Sequence, residues 1–143
     1  MKQKRIAESL ARKFKTRDPF RIADELGYIV IRTALKNIRG FWHYTQRQHI
    51  IFIDEKLPES TARFVCAHEI GHIILHRGYN RIYMNANTYY PVNRQEIEAD
   101  RFAVCLLYDD DDLRWCLGHP VQLAADFMGI SVELANYRLQ KLS

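Results

Sequence analysis

The stretch FVCAHEIGHIILH, residues 64–76, is apolar except for four titratable side chains: His68, Glu69, His72 and His76. Its length and composition predict a long helix that begins at Pro58, ends near His76 and lies in the core of the protein. Buried ionisable groups are costly unless they are paired or bind a metal. The helix therefore needs partners or a metal for these side chains.

Residues 68–72 match the pattern H-E-x-x-H. His68 and His72 are four residues apart and share one face of a helix, where two imidazoles can hold one divalent ion. Glu69 lies one step around the helix and suits a general base that takes a proton from an activated water. His76 is about 12 Å along the axis from His68, too far to join the same ion. We expect it to interact with the last carbonyls of the helix.

A catalytic zinc usually has three protein ligands, and the segment QEIEADRFAVCLL (95–107) offers the third. Glu96 and Asp100 are four residues apart and share a face with apolar neighbours, whereas Glu98 points to the opposite side. We therefore predict Glu96 as a ligand and Asp100 as the group that orients a ligating histidine through its free ring nitrogen.

Cys66 and Cys105 face away from these groups, so the predicted site has two histidines, one glutamate and an open position. An open position is typical of a catalytic metal rather than a structural one. One zinc ion per chain is expected, although the same ligands also suit manganese or iron. A structural or vestigial metal site is the alternative interpretation.

Other patterns predict an α+β fold in a single domain, residues 1–143, with a small antiparallel three-stranded sheet against a helical body. Further helices are expected over 3–15, from Asp18-Pro19 to Leu26, and over 94–107, 120–128 and 131–142. The predicted strands are 28–32, 40–44 and 49–54, with a hairpin between the last two. Asp109 to Asp112 are predicted to form a solvated turn that caps the next helix.

The composition is that of an ordinary globular protein, with 48% hydrophobic and 27% charged residues. The N-terminus lacks the apolar region of a secretory signal, no segment has the length of a membrane span, and three cysteines suggest reduced thiols. These features predict a cytoplasmic protein. Residues 1–50 carry a net charge of +8 (12 Lys and Arg, 4 Asp and Glu). We attribute it mainly to a solvated face of the first helix, and the alternative is a basic surface that meets nucleic acid or an acidic protein partner.

The tail QLAADFMGISVELANYRL (122–139) resembles a helix-turn-helix, so the alternative function is a DNA-binding or protein-binding regulator. A recognition helix there would present Val132, Glu133, Ala135 and Asn136, none of them a base-reading arginine or lysine. Direct nucleic-acid binding is therefore not expected.

Two motifs resemble those of the ImmA/IrrE-type zinc metallopeptidases. HEIGHIILH, preceded by Arg63, Phe64 and Ala67, matches the family's H-E-x-G-H-x-x-L-H segment. EIEADRFAVCLL (96–107) matches its second motif. DPFRIADELGYIV (18–30) and GFWHY (40–44) are also similar, but Tyr108 stands near the place where the family usually has a proline.

The resemblance implies a gluzincin-like peptidase in which His68, His72 and Glu96 bind zinc and Glu69 is the base. It also implies a protein substrate, a helix-turn-helix repressor encoded nearby in a phage or mobile element. The group that stabilises the transition state is open at this point. The candidates are Tyr79, Tyr83, Tyr89, Tyr90, His119 and Tyr137. The strand GFWHY is the expected sheet edge along which a substrate could align.

Overall fold

The computed structural model describes residues 2–76 and 92–143. Within these ranges the helices are α1 (Lys2–Phe14), α2 (Pro19–Glu25), α3 (Glu59–Leu75), α4 (Val92–Leu107), α5 (Asp110–Leu113), α6 (Val121–Met128) and α7 (Val132–Gln140). A 3-10 turn, Arg114–Cys116, follows α5. The strands are β1 (Ile29–Thr33), β2 (Gly40–Thr45) and β3 (Gln48–Asp54). The predicted α+β class is confirmed.

The local sequence signals that predicted helix α2 and the β2–β3 hairpin are confirmed. The Asp18 carboxylate caps α2 by accepting a hydrogen bond from the Phe20 amide at 3.0 Å, and Pro19 occupies the first turn. The chain leaves α2 through Gly27, whose φ of +79° lies in the left-handed region. The hairpin between β2 and β3 also forms as predicted, with a two-residue turn at Gln46 and Arg47.

The sheet is mixed rather than antiparallel, which corrects one prediction. Its order is β1-β3-β2, and β1 pairs with β3 in parallel, with Ile29 opposite Ile50 and Thr33 opposite Asp54. The short turn fixes only the β2–β3 pair, and the strand pattern carries no information about the other neighbour of β3. β3 is the central strand and the most buried of the three, with Ile51 and Ile53 fully buried.

Helix α3 lies at the centre of the domain and is buried on several sides. It packs against α4, and Gly71 makes the close contact between them possible. A Cβ atom at Gly71 would lie 2.9 Å from Cδ1 of Phe102 and 3.2 Å from its Cβ. The neighbour that leaves no room for a side chain at Gly71 is thus the aromatic ring of Phe102.

A second close contact joins α3 to the sheet. A Cβ atom at Gly40 would lie 2.6 Å from Cγ1 of Val65 and 2.8 Å from the carbonyl oxygen of Phe52. The first residue of β2 therefore sits directly on α3, one helical turn before His68 and Glu69. β2 is an edge strand, as expected for GFWHY, and its pairing in the described sheet is with β3 alone.

The acidic run after α4 is not simply a solvated turn, which corrects a second prediction. Asp109 caps α5 as expected, through a reciprocal pair of hydrogen bonds with Asp112. Asp110, however, accepts hydrogen bonds from Lys4 at 2.9 Å and from Arg138 at 2.9 Å. Because the Arg138 side chain is fully buried, this ion pair ties α1, α5 and α7 together.

Candidate metal centre

The two motif histidines and the second-motif glutamate meet between α3 and α4. Nε2 of His68 lies 3.1 Å from Nε2 of His72 and 2.7 Å from Oε2 of Glu96. The other oxygen of Glu96 lies 3.2 Å from Nε2 of His72. Each of the three side chains therefore points a donor atom at the same small volume.

These distances fit a single tetrahedral ion. With metal–ligand bonds of about 2.0 to 2.1 Å, neighbouring donor atoms around zinc lie about 3.3 Å apart. Two imidazole nitrogens and one carboxylate are also a donor set that zinc accepts in catalytic sites. His68, His72 and Glu96 could therefore hold one zinc ion with only small adjustments.

Asp100 contacts the far side of the His68 ring. Its Oδ1 lies 2.8 Å from Nδ1 of His68, so an ionised Asp100 accepts a hydrogen bond from the Nδ1–H group. This arrangement fixes the ring orientation and leaves Nε2 as the atom that faces Glu96 and His72. It is the contact that metal-binding histidines commonly make through their second nitrogen.

The carboxylates control the charge of this cluster. Burial alone would lower the pKa of His68, but hydrogen bonds to Asp100 and Glu96 outweigh it and raise the pKa to about 9. Hydrogen bonds from His68 and His72 hold the pKa of Glu96 well below its usual range, against the opposite effect of burial. Glu96 is thus ionised, as a carboxylate that binds a cation has to be.

Glu69 belongs to the same cluster but occupies a different position. Its Oε2 is 3.9 Å from Nε2 of His68, and the residue is 4% exposed. His68, Glu69 and His72 can bring one ligand atom each within 4.8 Å of one another. The shorter contacts of Glu96 to both histidines make Glu96 the better candidate ligand, and Glu69 lies beside the cluster as a buried carboxylate.

A cavity of about 360 Å³ opens on this cluster. The described residues that line it are Ile38, Arg39, Gly40, Phe64, Val65, His68, Glu69, Glu96 and Asp100. The side chains of Glu96 and Asp100 are about two-fifths exposed, so the cluster is accessible from this cavity. Arg39 is the one lysine or arginine in that set. Sequence reasoning missed it, and its only signal was its position just before the predicted strand.

The remaining predicted residues lie elsewhere. Tyr137 is buried, and the Arg101 guanidinium lies over the Tyr137 ring, 4.5 Å from its centroid. His119 packs near Trp115. Neither Tyr137 nor His119 lines this cavity. The structure therefore brings neither of these two candidate stabilisers to the cluster. Tyr79, Tyr83, Tyr89 and Tyr90 fall outside the described residues.

His76 and the cysteines also stay out of the cluster. His76 lies at the end of α3 and is buried. Besides its contact with the last turn of α3, it forms a hydrogen bond with the backbone of Gln95 on α4. Burial raises the pKa of the Cys66 and Cys105 thiols, so both are neutral core residues.

The comparisons with known proteins agree with this geometry. The family model described as "Peptidase_M78: IrrE N-terminal-like domain" matches residues 23–140. The chain belongs to this family. It is also 34% identical over 135 residues to "Uncharacterized immunity region protein 2" of Bacillus phage phi105. This alignment covers 85% of each chain.

The predicted resemblance to ImmA/IrrE-type peptidases is thereby confirmed, and membership supports a metallopeptidase-type role. Among the helices that the structure describes, none combines the length and apolarity needed to cross a bilayer.

Proposed function

We propose that this single-domain protein is a zinc-dependent endopeptidase that cleaves a specific protein substrate. The observation that carries the proposal is the convergence of His68, His72 and Glu96, whose facing atoms lie 2.7 to 3.2 Å apart. Membership of a peptidase family supports it. A bound zinc would act as a Lewis acid and lower the pKa of a water in its open position toward 7.

The chain's own residues then have distinct roles. His68, His72 and Glu96 hold the ion, and Asp100 fixes the ring of His68. Glu69 takes a proton from the attacking water and returns it to the leaving amine, a role that suits its buried position beside the ligands. Arg39, at the wall of the cavity, could bind a carbonyl or carboxylate of the substrate.

The edge strand β2 offers a way to align the substrate. Its first residue, Gly40, lines the cavity beside His68 and Glu69. An extended peptide that added to this edge would run directly into the site, with backbone hydrogen bonds setting its register. We infer that the substrate segment is unstructured or locally opened when it is cut.

The substrate we propose is a helix-turn-helix repressor encoded nearby in a phage or mobile element. The relative in phage phi105 is named an immunity region protein, which is consistent with such a setting. The alternative, a DNA-binding regulator, is disfavoured by α7. In that helix Ala135 is fully buried and Arg138 is engaged with Asp110, so neither could contact DNA.

The test uses the zinc-loaded protein and the purified repressor from the neighbouring gene, with products identified by mass spectrometry. Glu69→Gln should still bind about one zinc per chain but cut at least about 100-fold more slowly. Glu59→Gln, on the same helix but exposed, is the matched control and should cut normally. Equal activity of Glu69→Gln would rule out Glu69 as the base. A wild type that binds zinc but leaves the repressor intact would favour a structural metal site.

A further inference from the structure

A cluster of exposed apolar side chains lies on the 3-10 turn and α6, away from the metal centre. This aromatic patch consists of Trp115, Leu117, Leu123 and Phe127, which are 47%, 55%, 45% and 52% exposed. Nine large hydrophobic residues are exposed in the part of the chain that the structure describes, and four of them fall within these 13 residues. Contiguous exposed apolar surface of this kind marks interaction sites.

Members of the patch pack against one another and against a neighbouring ring. The Trp115 and Phe127 rings meet edge to face, with centroids 5.3 Å apart. Leu123 lies one turn before Phe127 on α6 and shares its face. The His119 ring lies 6.2 Å from Trp115. Because these two rings already pack against one another, the patch itself would lose little side-chain entropy when a partner binds.

The surroundings of the patch are acidic. Residues 108–133 contain six aspartates and glutamates but one arginine. Asp110 is turned inward to Lys4 and Arg138, and Asp111 pairs with Arg114. Asp126, by contrast, is exposed on α6, where its carboxylate accepts a hydrogen bond from Gln122. The rim of the patch is therefore negative at Asp126, although the whole chain carries a net charge of +4.

The surface from the patch to the metal centre is continuous. The Tyr108 ring lies 6.1 Å from Phe127, and Tyr108 also lines a second cavity of about 370 Å³. That cavity shares Arg39, Phe64 and Asp100 with the cavity at the metal centre. A protein seated on the patch could thus pass a segment along this groove to the candidate ligands.

We propose that the aromatic patch is a docking site for the protein substrate, separate from the site where the peptide bond is cut. The acidic rim calls for a partner with an apolar spot surrounded by lysines and arginines. The DNA-contacting side of a repressor has that positive charge. The inference rests on the proposed function, because its occupant is the same repressor. A second copy of this chain, with its basic residues 1–50, is the competing occupant.

The test measures binding without cleavage, with every variant made in the Glu69→Gln protein and the full-length neighbouring repressor as the probe. Phe127→Ser should weaken binding about tenfold or more, as loss of a central aromatic contact does. Ile29→Ser, an exposed residue on the opposite edge of the sheet from β2, is the control and should bind normally. Matching urea midpoints for the two variants would exclude unfolding as the cause.

A charge reversal supplies the second, independent variant. Asp126→Lys should weaken binding at about 50 mM salt, and the loss should shrink at about 300 mM as the charges are screened. Asp24→Lys, exposed on α2, makes the same change in net charge and should have no effect. In the wild-type background, Phe127→Ser should cut a short peptide spanning the scissile bond at the normal rate but cut the whole repressor more slowly.

Three results would overturn the docking site. They are normal binding by both patch variants, no binding of the repressor at all, and a wild-type dimer that Phe127→Ser converts to a monomer. The failure of the proposed function looks different. In that case the repressor binds at the patch, and the patch variants release it, but the wild-type protein leaves it uncut.

Discussion

Removal of the Asp100 carboxylate tests whether the hydrogen bond behind His68 prepares the site for a metal. Loss of such an outer partner weakens metal binding about 10- to 100-fold. The contact is short, 2.8 Å, but the Asp100 side chain is 42% exposed, so water can replace part of it. We therefore expect Asp100→Ala to bind zinc about tenfold more weakly, equivalent to about 1.4 kcal/mol.

Asp100→Asn should fall between the wild type and Asp100→Ala, because an amide oxygen can still accept the Nδ1–H bond of His68 without the negative charge. The assay is competition for zinc against a chromogenic chelator. Glu98→Ala is the control, since Glu98 lies on the same helix but bonds to Arg94 instead. Zinc affinities of Asp100→Ala and Glu98→Ala that agree within about twofold would refute this role for Asp100.

The remaining predictions concern the stability of the scaffold. Asp110→Asn should lower the free energy of unfolding by about 3 kcal/mol in urea titrations, because it leaves the buried Arg138 without its charged partner; Asp111→Asn, which is exposed, is the control. Burial opposes ionisation of Asp110, but hydrogen bonds led by that from Lys4 outweigh it and hold its pKa well below the ordinary value of about 4. Ionised Asp110 therefore stabilises the fold fully above pH about 4, and this stabilisation is lost as the pH falls towards the lowered pKa of the folded state. The urea midpoint of the wild type should fall over this pH range, and Asp110→Asn should lack this part of the decrease. Gly71→Ala should lower stability by about 1 kcal/mol, because a clash with Phe102 of about 1 to 3 kcal/mol exceeds a gain in helix propensity of about 1 kcal/mol; a rise in the urea midpoint would contradict this balance.

Features encoded by neighbours in the sequence were predictable. The spacing of His68 and His72 places both imidazoles on one face of α3, and the spacing of Glu96 and Asp100 does the same on α4. Which faces meet could be inferred from the titratable residues, since α3 is buried on several sides and its two histidines mark the face that needs polar partners. The cap at Asp18 was equally local.

Features that depend on distant partners were not predictable in this way. The parallel pairing of β1 with β3 depends on how the chain crosses between strands that are not consecutive. Asp110 appeared to belong to a solvated run because its partners, Lys4 and Arg138, lie 106 and 28 residues away. Ion pairs between such distant residues leave no periodic signal in the sequence. Arginine is also so rarely fully buried that its residue type argues against burial of Arg138.

The cavity shows the same limit at the candidate site. Arg39 reaches it because Gly40 allows β2 to pack on Val65, a contact that no local motif encodes. Tyr137 and His119 were plausible from their chemistry alone, yet the packing of α6 and α7 leaves them outside the cavity. Chemistry selects candidate residues, and only the tertiary arrangement decides which of them meet.

The most direct test of the central claim is X-ray absorption at the zinc edge of the loaded protein. We expect about one zinc per chain with two imidazoles and light oxygen ligands at about 2.0 to 2.2 Å, and Glu96→Ala should lose an oxygen scatterer or fail to load. Sulfur at about 2.3 Å would mean that a cysteine binds the ion. That result, or an unchanged spectrum in Glu96→Ala, would contradict the site formed by His68, His72 and Glu96.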